Sequence, residues 1–186
     1  MGDLQMVSQE MDNSKQVIGK RFRIRLFAYL FDGLMLVFVS NAIQFIGGYD
    51  FYFGTFFTKL VDDFVALLLI TAYFALFEWL YGATLGKVIL GMRVVQEDGE
   101  RCSLGTAVAR GLWRYWDGIL FGVVALATME PPLYQRHGDK SAKTIVVAVN
   151  APIIKEVRKW WWFFVALGLY SALYFVVTWL MMAISV

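Results

Sequence analysis

Histidine and cysteine are almost missing from this sequence of 186 residues, where His137 and Cys102 each stand alone. A lone thiol cannot close an internal disulfide, and a lone imidazole excludes a histidine-rich zinc site. Charge is scarce too, at 17% of residues against 59% apolar, which excludes an ordinary soluble fold. The net charge of +2 is too small to recruit nucleic acid. The basic residues instead cluster beside apolar segments, where they act as orientation signals. Near the start there is no short apolar run followed by a small-residue cleavage site, so the mature protein is expected to keep its first residues. No internal inverted repeat is visible either.

What the sequence does hold is hydrocarbon-compatible length. The stretches Leu26 to Gly47, Phe64 to Gly82 and Trp160 to Val186 carry one charge, one charge and none. Each can cross ~30 Å of hydrocarbon as a helix, the structure that satisfies every backbone group internally. Lys20, Arg21, Arg23 and Arg25 sit directly before the first stretch, which by the positive-inside rule places the N-terminus in the cytoplasm. Gly48 to Asp63 holds Lys59 against three aspartates and suits an external loop. Residues 1–20 are expected to form a mobile cytoplasmic arm, 21–150 the membrane domain, and 151–186 a last transmembrane helix. The run Trp160 to Phe164 after Lys155, Arg158 and Lys159 is the aromatic belt of that helix.

The middle of the chain sets a topological problem. Ala83 to Asp117 and Glu130 to Lys159 are both rich in Lys and Arg, as cytoplasmic segments are, yet the uncharged run between them, Gly118 to Met129, is too short to span. Ser103 to Met129 is therefore predicted to be a re-entrant or surface-lying helical hairpin, broken near Asp117 and Gly118 and started by Ser103 as N-cap. Every Lys and Arg except Lys59 then lies inside. The alternative is a fourth full crossing that buries Arg110 and Arg114. Met92 to Gln96, followed by the turn signal Asp98-Gly99, and Thr144 to Val149 read as two short strands. If they pair as a cytoplasmic sheet, their flanks share one side of the membrane, and the hairpin follows. The fold class is thus an all-α integral membrane protein with three transmembrane helices, a hairpin and a small β-strand pair, or else four transmembrane helices.

Chemistry is sought where charge enters hydrocarbon, because a carboxylate near a helix centre costs ~3 kcal/mol. Asp32 follows Arg25 by seven residues, on one helical face, and Glu78 lies one turn from the inner end of the second span. Two roles are open to Arg25, Asp32 and Glu78. One is an ion-pair network clamping spans one and two; the other is a proton or cation pathway. Gly82 to Lys87 resembles a phosphate loop but has three residues between its glycines where four are needed. Cys102 reads as an idle thiol and His137 as a solvated loop residue.

The order of these motifs resembles the RDD family of bacterial membrane proteins. It is carried by Arg25-x2-Ala28-x3-Asp32, Thr84-Leu85-Gly86-Lys87, Gly91-x-Arg93-Val94-Val95, Arg110 and Arg114, and His137-Gly138-Asp139-Lys140-Ser141-x-Lys143-Thr144-x-Val146-Val147. The family's eponymous arginine and two aspartates fall on Arg25, Asp32 and Asp139. The similarity covers about residues 20–150, and the terminal span lies outside that core. Phe77-Glu78 and Arg110-x3-Arg114-x2-Asp117 resemble one branch of the family. Gly138 stands where an apolar residue is common, so a looser loop is expected there.

The resemblance implies residence in the bacterial inner membrane and suggests transport, since some members are described as Na⁺(Li⁺,K⁺)/H⁺ antiporters and eukaryotic relatives act as accessories of membrane complexes. On that reading Arg25, Asp32, Glu78, Lys87, Arg110, Arg114, Asp117 and Asp139 form an ion or proton pathway or a structural charge cluster. Arg25, Asp32 and Asp139 are expected in one cytoplasm-facing cluster, with Lys87 and Arg110 as candidate further partners. Asp32 would be the exchange carboxylate and Glu78 a second ligand. So small a chain would transport only as a homo-oligomer. The other class of function is a membrane scaffold that docks a partner protein. Beyond the bilayer, a monovalent cation and a proton, no cofactor, metal or nucleic acid is expected. One His and one Cys give no basis for an enzyme.

Overall fold

The computed structural model describes residues 22–47, 56–118, 129, 133 and 135–184. The N-terminal arm, Lys20 and Arg21, the start of the external loop and the second arm of the hairpin lie outside the described residues. Within them, α1 runs Phe22–Gly47, α2 Phe56–Leu80, α3 Leu85–Ile89, β1 Met92–Gln96, α4 Leu104–Gly118, α5 His137–Ser141, β2 Thr144–Ala148 and α6 Trp161–Ile184. The chain is mostly helical. In α2 and α6, Asp62–Leu80 and Trp161–Met181 are long and apolar enough to cross a membrane.

The centre of the bundle is α2, which packs on two neighbours. Against α6 it sets an aromatic seam: Tyr73 meets Tyr170 edge-on at 5.3 Å and Phe77 meets Phe163 at 5.0 Å. Ala166, Tyr170, Tyr174 and Thr178 recur every fourth residue and are the buried stripe of α6, while Phe164, Phe175 and Trp179 are exposed. Along its other side α2 runs antiparallel to α4. Ala75 and Ala107 share a small apolar cluster, Gly111 sits against Thr71, and the Tyr115 hydroxyl donates to the Leu67 carbonyl at 2.6 Å. These contacts step by four residues on both helices, so α4 travels beside α2 for two turns, about 12 Å.

The two strands pair antiparallel, with Val94 opposite Val146 and Val95 opposite Ile145. β2 ends one residue before the predicted Val149, whose N–H still bonds the Gly91 carbonyl at 2.9 Å. Alternation gives the sheet two apolar faces. Met92, Val94 and Val146 pack on Ala28 of α1, while Val95, Ile145 and Val147 are covered by Leu133, Ala151, Ile153 and Ile154. A two-stranded sheet is marginal alone and needs such covers. The Ser103 hydroxyl accepts the Thr106 N–H at 3.2 Å, the expected N-cap of α4.

α3 docks on α1 through a contact that only glycine allows. A Cβ at Gly86 would stand 2.2 Å from the Ala28 carbonyl oxygen and 3.1 Å from Cγ of Asp32. Gly86→Ala should therefore lower stability by about 1 to 3 kcal/mol, the usual cost of overpacking. Gly168→Ala, at a position with no atom within 4 Å, should be neutral or mildly stabilising. Melting in detergent would test this, and equal melting temperatures would show that α1 and α3 separate freely.

Candidate functional site

Two polar clusters lie where α1, α2, α3, α4 and α5 converge. The first surrounds Asp32, which is 1% exposed. Its Oδ1 accepts the Tyr73 hydroxyl at 2.9 Å and the Gly86 N–H at 2.8 Å, and its Oδ2 accepts the Thr84 hydroxyl at 2.6 Å. The two carboxyl oxygens can accept all three of these donors at once. The Thr84 side chain makes no cap bond of its own to α3, so Asp32 caps that helix from another element, where the helix dipole favours an anion. The glycine-bearing motif that resembles a phosphate loop thus holds the chain's own carboxylate.

The second cluster is built on Arg110, which is fully buried. Its Nε donates to Oε2 of Glu78 at 2.8 Å, and its Nη1 donates to Oδ1 of Asp139 at 2.5 Å and to the Thr144 hydroxyl. Glu78 accepts from Lys87 and, at 2.9 Å, from Arg114, whose guanidinium also stacks 3.6 Å from the centre of the Phe74 ring. Asp139 accepts from Arg25 at 2.5 Å and from Arg136 at 3.3 Å. Arg136 in turn faces Asp117 at 3.8 Å. Both Asp117 oxygens, Nη2 of Arg110 and Nε of Arg114 have no hydrogen-bond partner among the described residues.

Several expectations change. Arg25 does not meet Asp32; it crosses to Asp139, because the sheet and α5 bring residue 139 to the foot of α1. An ion-pair network of Arg25, Asp32 and Glu78 alone is therefore absent: Asp32 has neutral donors, and Glu78 faces cations from α3 and α4. Nor is Glu78 placed as a second ligand beside Asp32, since both of its oxygens are taken by cations. The loop around Gly138 is tight, not loose, as a Cβ there would stand 2.8 Å from Cβ of Trp113. Asp139 is held at α5's first turn, where the Arg136 N–H donates to it at 3.2 Å. His137 is exposed, but it begins α5 instead of lying in a loop, and its ring lies 5.9 Å from that of Trp113. Sequence reasoning missed Tyr73, Arg136 and Thr144. For Arg136 a signal existed in its i,i+3 spacing to Asp139; for Tyr73, in a hydroxyl within an apolar span.

Charge states outside the spans follow from these contacts. Burial alone would raise the Asp139 carboxyl, but Arg136, Arg110 and Arg25 together hold it well below its ordinary range. Burial lowers the Lys87 ammonium to about 8, against the pull of Glu78 and with the push of Arg114 and Arg110. Burial also pushes the Cys102 thiol up to about 12, which disfavours the reactive thiolate.

The sequence model of the RDD family matches residues 21–186. The match runs through α6, so the terminal helix, expected to lie outside the family core, falls within it. An uncharacterized protein of Bacillus subtilis (strain 168), YxaI, is 32% identical over 122 residues, which cover 55% of this chain and 78% of the relative. No solved structure matches the chain.

Removing one partner from a buried ion pair costs about 3 to 5 kcal/mol. Arg25→Ala should thus destabilise far more than Arg23→Ala at an exposed site, and equal melting temperatures would show that the contact to Asp139 carries no weight. The depressed Asp139 also gives a sign for acid. Its contribution is complete above its ordinary value of 3.8 and is lost as pH falls below that. Wild-type melting should drop as pH falls below about 4, the ordinary range of an Asp, more steeply than that of Asp139→Asn.

Proposed function

The chain belongs to the RDD family, and from that premise we propose that it is a multi-pass protein of the bacterial cytoplasmic membrane that exchanges a monovalent cation for protons through Asp32. The observation that carries this reading is the setting of that carboxylate. It is buried in α1 and is met by Tyr73, Thr84 and the Gly86 N–H, with no cation in hydrogen-bond range among the described residues. Hard monovalent cations prefer oxygen ligands, and the two hydroxyls can turn their lone pairs toward an ion when it replaces the bonded protons. An intramembrane carboxylate of this kind is the minimal exchange site, since H⁺ and the cation compete for it.

The topology that goes with this reading has α1, α2 and α6 crossing the membrane and the N-terminus in the cytoplasm. α1 presents Phe27, Leu30, Phe31, Leu34, Val37 and Phe38 outward, as a lipid-facing helix does, and buries Ala28 and Asp32 inward. Antiparallel pairing of β1 with β2 supports a hairpin over residues 103–129 that enters and leaves on the cytoplasmic side. α4 supports the same placement, because Leu104, Val108, Leu112 and Trp116 form an exposed apolar stripe while Arg110, Arg114 and Asp117 turn inward. With so few spans, transport calls for a homo-oligomer.

One observation favours the other reading, a scaffold that docks a partner membrane protein. The cluster around Glu78 and Asp139 is closed by ion pairs joining α1, α2, α3, α4 and α5, which suits a rigid clamp more than a moving gate.

Purified protein in vesicles should separate the two. Transport predicts proton movement driven by Na⁺, K⁺ or Li⁺ between pH 6 and 9, lost in Asp32→Asn and shifted in pH optimum in Asp32→Glu. A wild type without response to any of the three ions would sink the exchange reading and leave the scaffold. For topology, single cysteines at Gln96 and Ser141 in a Cys102→Ala background should resist an impermeant thiol reagent in intact cells. Strong labelling at Ser141 would instead mean four crossings.

A further inference from the structure

Among the described residues, the buried cluster at this junction holds one cation more than its acids offset, and the surplus falls on one residue. Glu78 faces Arg110 and Arg114, and Asp139 faces Arg25 and Arg136. Asp117 lies opposite Arg136, and Asp32 sits among neutral donors. With all of these groups ionised, these four arginines and four carboxylates sum to zero, while the buried Arg93 lies apart from them over the Tyr81 ring. Lys87 is then a fifth cation on a neutral set, sharing Oε1 of Glu78 with Arg114. A surplus charge in a buried site is costly unless the group can discard it. Arginine cannot lose its proton in a protein, whereas a lysine ammonium can.

We propose that Lys87 is the group through which this buried cluster takes up and releases a proton. Every charged neighbour agrees with that assignment. Glu78 on α2 keeps Arg110 and Arg114 as partners when the ammonium becomes an amine, so no carboxylate is stranded. From α4, the same two arginines repel the ammonium. Asp32 on α1 is occupied by the N-terminal end of Lys87's own helix. On β1, Arg93 is turned over the Tyr81 ring at 4.6 Å and offsets nothing. The Lys87 side chain is 9% exposed. The lowering of its proton affinity by burial and by Arg114 and Arg110 fits this role. The inference supplies the proton half of the exchange proposed above and rests on that reading only for its purpose, not for its existence.

The test is stability against pH, read on the purified full chain in detergent with Cys102→Ala to remove the buried thiol. A lysine whose folded value lies near 8 and whose ordinary value is 10.5 binds more protons unfolded than folded between those limits. Stability should therefore rise with pH there, with the unfolding constant falling up to about tenfold per unit. Lys87→Met should fold, match or exceed the background at pH 7, and show no rise. Lys87→Arg, charged throughout, should also show none. The same rise in Lys87→Met as in the background, a background without a rise, or a Lys87→Met protein that fails to fold would each overturn the proposal. In vesicles, absence of any cation-driven proton flux in the wild type would remove the transport reading while leaving the melting result to decide on Lys87.

Discussion

The structure depends on one guanidinium. Arg110 reaches Glu78 with Nε and Asp139 with Nη1, and through those two carboxylates it ties α2 to α4, α5 and, by Arg25, to α1. In a membrane protein this bond has unusual weight, because lipid offers an ionised group no alternative partner. The planar fork of arginine suits it to hold two carboxylates in fixed directions, which a lysine could not do. The short elements α3 and α5 gain their positions the same way, α3 by offering Lys87 to Glu78 and α5 by offering Asp139 to Arg110 and Arg25.

On α4, and at Asp32 of α1, charge is turned inward, and the packing of both helices follows from it. α4 is the clearest case: its polar residues at 110, 114 and 117 face the protein, while 104, 108, 112 and 116 face outward as apolar side chains. The hydrophobic effect that packs a soluble helix would reverse this helix, and an outward apolar stripe with inward charge is the pattern expected of a helix facing hydrocarbon. The same holds for α1, whose buried residues are Ala28 and Asp32 and whose exposed ones are Leu, Phe and Val.

Close backbone approach makes the polar interior compact enough to satisfy itself. Gly86 lets α3 touch the backbone of α1, which puts its own N–H on Asp32. Gly138 does the same for α5 against Trp113, which puts Asp139 within reach of Arg110. A side chain at either position would lengthen the ion pairs it serves. The glycines are therefore part of the electrostatics, although neither carries a charge.

The sequence by itself determined the elements and the cast. Apolar length marked the long helices, β-branched runs marked both strands, and the scarcity of charge made Arg25, Asp32, Glu78, Lys87, Arg110, Arg114, Asp117 and Asp139 worth naming before any contact was known. The strand pair and the depth of Arg25 already brought Asp139 toward Arg25, but tertiary structure decided the individual pairings and set Asp32 apart from that cluster. Arg25 and Asp32 share a helix face, and sequence spacing made them neighbours, yet Asp139, 114 residues away from Arg25, takes the arginine. Asp32 finds its donors on α2 and at the start of α3. The physical reason is that helical periodicity is local, while the partner of a buried charge is whichever opposite group the packing of other elements delivers. That delivery depends on the strand register and on two glycine contacts, and no spacing along the chain encodes either.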